Sequence, residues 1–137
     1  MKLNQFPETL AVLRLGPGAE MPAWAESSSI FSVTATATET SVVCAARNVP
    51  AKAVAQRPLT AFEVEGPLDF ALTGVLSGLL APLAEAGISV FTISTYDTDW
   101  ILVPAAEADR AAEAWRTAGH EVAAAVPATP TSGKGRK

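Results

Sequence analysis

Residues 89–105, SVFTISTYDTDWILVPA, align without a gap on residues 29–45, SIFSVTATATETSVVCA. This pairing spaces equivalents 60 residues apart and makes Ser29/Ser89, Phe31/Phe91, Thr38/Thr98, Val43/Val103 and Ala45/Ala105 identical. Ile30/Val90, Val33/Ile93, Glu39/Asp99 and Val42/Leu102 keep size or chemistry. Each stretch holds two β-rich runs around a polar turn, the pattern of a hairpin. Upstream, Gly16-Pro17 and Gly66-Pro67 each follow a short strand-like run, and the first copy is shorter by ten residues between that dipeptide and its hairpin. Matched punctuation in one order indicates two related modules.

The second copy is the fuller one. Ala61–Glu65 reads as a strand that Gly66-Pro67 ends. Leu72, Val75, Leu76, Leu79, Leu80 and Leu83 then fall at helical spacing on one face. Thr73 is placed to cap this helix and Gly87 to close it, while Pro82 removes the bond to the Gly78 carbonyl. The leucines at 76, 79, 80 and 83 are expected to bury against Ile93, Trp100 and Leu102. Ile88–Ser94 and Trp100–Val103 form the hairpin. Glu107–Ala118 is a second helix with acids in its first turn, Arg116 in its last and Gly119 as its stop, and Glu121–Val126 offers a last strand. The order is β-α-β-β-α-β.

In the first copy, Leu10–Leu15 is a strand, Met21–Ser27 at most two helical turns, and Phe31–Ala37 with Ser41–Ala46 the hairpin. Residues 47–58 make a poor helix between two prolines. The domain reading is a shortened module over 1–58, a second module over 59–126 and a disordered tail over 127–137 that can be deleted without loss of stability.

Charge and composition narrow the function. With the three cations of the tail set aside, 14 acidic side chains face 7 basic ones, a body that repels phosphate backbones and argues against nucleic-acid binding. The single cysteine, Cys44, excludes an internal disulfide, and its apolar strand makes it a small buried hydrophobe. The longest charge-free apolar stretch, 70–84, is too short to span a bilayer. A cytoplasmic location without membrane contact is expected, and nothing implies a cofactor.

The stretch GPLDFALTGVLSGLLAPLAEAGISVFTISTYDTDWILV, residues 66–103, resembles the ACT-domain subfamily that includes the CASTOR-type arginine sensors, and small bacterial two-ACT proteins in particular. The carrying motif is a glycine-led helix start followed by GIxVFxIST[YF]xTD and an apolar strand; the hairpin 29–45 fits more loosely. The resemblance implies an α+β fold of tandem ferredoxin-like βαββαβ modules, antiparallel sheets with helices on one face, and a non-catalytic regulator of amino-acid-responsive pairing. It implies an amino-acid ligand whose carboxylate and amine meet backbone groups at Gly74 and Val75 and whose side chain meets Thr95, Tyr96 and Asp99. Leu72 stands where the arginine sites carry an acid, so a neutral or smaller amino acid fits this pattern at least as well.

Each of these residues also has a structural reading. Thr73-Gly74-Val75 offers free N–H donors and a positive dipole end, or simply a capped start. Asp97 and Asp99 read first as turn formers, since an acid also aligns at Glu39, and second as a ligand's ammonium partner. Trp100 and Trp115 suit core positions. His120 and Cys44 stand far apart, and no metal-ligand spacing or phosphate loop is present. Three functions compete: a metabolite sensor that pairs as a homodimer and acts on a protein partner, an interaction module without a ligand, and an enzyme, for which no reactive constellation is found.

Overall fold

The computed structural model describes residues 1–69 and 73–125, so the tail at 127–137 lies outside the described residues. The chain runs β1 (Lys2–Gln5), β2 (Leu10–Leu15), α1 (Ala23–Glu26), β3 (Ser32–Ala35), β4 (Thr40–Ala45), β5 (Ala55–Val64), α2 (Val75–Glu85), β6 (Phe91–Ser94), β7 (Asp99–Pro104), α3 (Ala108–Thr117) and β8 (Glu121–Ala123). Single 3-10 turns follow β4 at Ala46–Asn48 and β7 at Ala105–Glu107. Among the described residues no helix is long and apolar enough to cross a membrane.

All eight strands join one sheet, and β5 organises it. Along one edge its first half pairs antiparallel with β2, with Ala55 opposite Leu13 and Leu59 opposite Leu10. Its second half pairs on the same side with β1, where Phe62 faces Gln5 and Val64 faces Leu3. β7 lies along the other edge, from Leu59 opposite Pro104 to Glu63 opposite Trp100. Beyond β2 come β4 and β3, beyond β7 comes β6, and β8 runs parallel to β1. The first half of β5 is therefore the last strand of a β5-β2-β4-β3 module, and its second half the first strand of a β5-β7-β6 module. The module boundary read at 58/59 falls inside this strand. The fold is α+β and ferredoxin-like, with an antiparallel-rich sheet and helices on one face.

Strand alternation divides the core. Ile101 and Val103 of β7 pack with Phe62, Leu79, Leu83, Ala111 and Trp115 beneath α2 and α3. The intervening Leu102, with Trp100 and Ile93 beside it, points to the opposite face and joins Leu10, Val43, Leu59 and Ala61. The expected grouping of the α2 leucines with Ile93, Trp100 and Leu102 is thus wrong by one position. Leu79 and Leu83 are fully buried, while Leu76 and Leu80 pack at the margin. Trp115 is the centre of this layer: its ring stands edge-on to Phe62 at 4.9 Å and its Nε1–H donates to the Leu79 carbonyl at 2.8 Å.

The same parity corrects the repeat. Ala35 faces Thr40 in the first hairpin and Ser94 faces Asp99 in the second, so true equivalents lie 59 residues apart. The two turns agree: Thr36 N–H donates to the Glu39 carbonyl at 2.9 Å and Thr95 N–H to the Thr98 carbonyl at 2.8 Å. Asp99 therefore corresponds to Thr40, and the matched acid at Glu39 disappears. Period-2 strands tolerate a one-residue slip in sequence similarity but not in side-chain direction.

Helix ends differ from expectation at one point. Gly87 and Gly119 adopt positive φ and close α2 and α3, with Ile88 N–H bonded to the Leu83 carbonyl and His120 N–H to the Trp115 carbonyl. Thr73 does not cap α2; Gly74 does, at φ 78° and without a side-chain bond. Ile88 is spent on this closure and not on the strand. Two elements escaped the sequence reading: β1, and the start of β5 within the segment read as a poor helix.

Leu79→Ala should cost about 2–5 kcal/mol in urea unfolding with an unchanged slope. Trp115→Phe should cost about 1–3 kcal/mol by removing the indole bond to the Leu79 carbonyl and the volume of the larger ring. Burial pushes the Cys44 thiol above its ordinary range, so the native thiol stays protonated where the unfolded one ionises, and stability falls as pH rises from that ordinary range to the raised value. Ellman's reagent should accordingly label Cys44 far more slowly in the native protein than in urea.

Candidate functional site

Three segments converge beyond the C-terminal end of β5: the stretch that follows it, the N-terminus of α2, and the β6–β7 turn. They border an open cavity of about 220 Å³ lined by Leu68, Asp69, Val75 and the run Ser94 to Asp99. Four of the five residues singled out by the motif, Val75, Thr95, Tyr96 and Asp99, stand on its wall. Gly74 does not. It sets the entry into α2, and a Cβ there would meet nothing within 4 Å, so its requirement is the positive φ and not close approach.

Hydrogen bonds hold the turn in place. The Thr95 hydroxyl donates to the Thr98 carbonyl at 3.1 Å and accepts from the Thr98 N–H at 3.2 Å. Thr98, buried, donates its hydroxyl to the Val64 carbonyl at the end of β5. Leu68 N–H donates to the Asp97 carbonyl at 2.7 Å, which joins the stretch after β5 to the turn. Gly66 allows that approach, since a Cβ would lie 3.1 Å from the Asp97 oxygen and 3.2 Å from the Thr98 Cβ.

The chemistry of the wall is acidic at one end and donor-rich at the other. Asp69, Asp97 and Asp99 line the cavity, and among the described residues no Lys or Arg does. Asp99 accepts the Ser94 hydroxyl at 2.7 Å, which orients its carboxylate. The Asp97 side chain is exposed, and the bond this residue makes to Leu68 runs through its backbone oxygen. At the start of α2 the first-turn N–H groups have no side-chain cap. Tyr96 is fully exposed at the mouth. Leu72, the departure from the arginine-site pattern, lies outside the described residues. Sequence reasoning did not include Leu68, Asp69, Ser94 or Thr98; hairpin register would have placed Ser94 beside Asp99. Among the described residues, no group of three or more His, Cys, Asp or Glu is arranged to hold a metal ion.

Comparison with known proteins bears on the fold and the family. Residues 54–116 match the ACT domain model, and residues 8–52 match a separate model described as an N-terminal domain. Protein Atu0741 from Agobacterium tumefaciens is 30% identical, with a TM-score of 0.85 over 91% of this chain and 93% of that one. A protein of unknown function from Vibrio cholerae, described as a possible transport protein, is 17% identical at a TM-score of 0.70, covering 85% and 88%. The regulatory subunit of aspartate kinase from Thermus flavus shares the fold at 11% identity and a TM-score of 0.61, covering 85% and 95%. No curated protein matches the chain.

Gly66→Ala should shift the 66–69 stretch against the turn by a few tenths of an ångström and cost about 1–3 kcal/mol. Gly74→Ala should cost about 1–2 kcal/mol through left-handed strain alone. Thermal unfolding of both variants, with amide shifts at Leu68 and Asp97, distinguishes the two causes: only the first should move those resonances.

Proposed function

The chain belongs to one family with Atu0741 and carries an ACT domain over residues 54–116, and from that premise we propose that it is a non-catalytic regulator that binds an amino acid or similar small metabolite. The observation that carries this reading is the cavity in which Val75, Thr95, Tyr96 and Asp99 meet at an uncapped helix start. The fold shared with a regulatory subunit supports the regulatory part of it.

The two ends of the cavity suit the two ends of an amino acid. A carboxylate at the α2 start, near Gly74 and Val75, gains about 0.3–1 kcal/mol when exposed and up to about 2 kcal/mol when sheltered. An ammonium or other cationic group beside Asp99 adds about 1.5–3 kcal/mol. Asp69 supplies an acid on the same wall although Leu72 stands at the position acidic in the arginine sensors, which keeps a cationic side chain within the CASTOR-like reading. The cavity is open to solvent, with Tyr96 at its edge. A second copy paired over this mouth would exclude water and bury Tyr96, and a homodimer is therefore part of the proposal.

Asp99→Asn should weaken binding about tenfold or more without unfolding the protein. Asp97→Asn, at an exposed and screened carboxylate, should have a small effect. Titration calorimetry across the common amino acids, with light scattering of the free and bound protein, makes the test. Absence of binding below millimolar concentration would replace the sensor by an interaction module. A strict monomer with and without ligand would remove the pairing.

A further inference from the structure

On the face away from the helices, the two hairpins meet across a second opening. The register places Thr34, Ser41 and Arg14 in one row across β3, β4 and β2, with Val43, Val12 and Gln56 in the next, all on the same side of the sheet. β6 folds over these rows from the other module, so that Phe91 closes one side. The resulting crevice has a volume of about 440 Å³, within the roughly 300–1,000 Å³ of small-molecule sites.

Its lining combines one cation, one anion and an apolar wall. Arg14 makes one long bond, to the Thr38 carbonyl at 3.5 Å, and Glu39 sits diagonally across the strand pair from it. Neither takes part in an ion pair among the described residues, although both face the crevice. Phe91 remains 38% exposed and Val54 70% exposed, so both offer apolar surface to the crevice. Ser41 and Gln56 supply neutral donors and acceptors between them.

We propose that this crevice is a second ligand site, distinct from the cavity at α2, and that it takes a small zwitterion bearing an apolar group. The Arg14 guanidinium holds the carboxylate, the Glu39 carboxylate holds the ammonium, and Phe91 and Val54 cover the apolar part. An anion alone would meet Glu39 and a cation alone would meet Arg14, so opposite charges on one molecule are what the pair selects. Because β6 and the first hairpin supply opposite walls, occupancy bridges the two modules.

The test is titration of the full, nitrogen-15-labelled chain with L-leucine, L-leucinamide and N-acetyl-L-leucine, read from backbone amide shifts. L-Leucine should give saturable shifts at Arg14, Glu39, Ser41 and Phe91, and loss of either charge on the probe should weaken binding roughly tenfold or more. Arg14→Gln and Glu39→Gln should each reproduce that loss, and Asp99→Asn should leave these shifts intact. No saturable shift at these four residues, equal binding of the three probes, or insensitivity to both substitutions overturns the proposal. Shifts confined to 94–99 would support the α2 cavity and still overturn this one.

Discussion

One ten-residue strand, β5, belongs to both halves of the protein, and most of the remaining structure follows from that double membership. Its central run Leu59–Phe62 is buried, with alternate side chains feeding two different clusters: Leu59 and Ala61 on one face, Phe62 on the other. A shared strand fixes the register of both modules at once. A slip of one residue along it would exchange the two faces and place Phe62 and Val64 away from Trp115. The chain therefore cannot adjust one module's packing independently of its neighbour's.

The shared strand also accounts for the reduced first module. With one strand borrowed, the first copy needs only a four-residue helix and a 3-10 turn to cover Ala11, Leu13, Val42 and Cys44. The second copy instead builds α2 and α3 around the Trp115–Leu79 contact. That contact is specific because the indole N–H finds a carbonyl in α2, a helix that continues through Pro82. A carbonyl has two acceptor positions, so the Leu79 oxygen can serve this bond beside a helical one.

Fold class, the two hairpins, both long helices and their glycine closures were legible in sequence because each has a local signal: helical spacing, a polar turn, a glycine at positive φ. What was not legible depends on partners distant in sequence. β1 is four residues long and exists through pairing with β5 and β8. The repeat alignment favoured a spacing with five identities over the structural one because identity does not register which face a strand residue occupies. For the same reason helical spacing alone does not tell whether the α2 leucines meet Trp100 and Leu102 or, as they do, Ile101 and Val103. At the candidate site the motif named the turn and helix start, which are contiguous. It missed Leu68 and Asp69, which reach the cavity only because Gly66 lets their segment lie against the turn.

The position of that turn gives the α2 cavity a mechanical connection to the rest of the molecule. Thr98 joins it to Val64, and Val64 sits opposite Leu3 in the β1 pairing and within the Trp115 cluster. The turn also continues directly into β6, whose other end, at Phe91, overlies the first hairpin. The turn is therefore anchored twice, through Thr98 to β5 and the core and through the chain to β6, which lies beside the first hairpin. Tightly packed interiors transmit displacements as discrete rearrangements and not as gradual deformation. The turn that lines the α2 cavity is thus tied both to the core and to the strand that faces the first module.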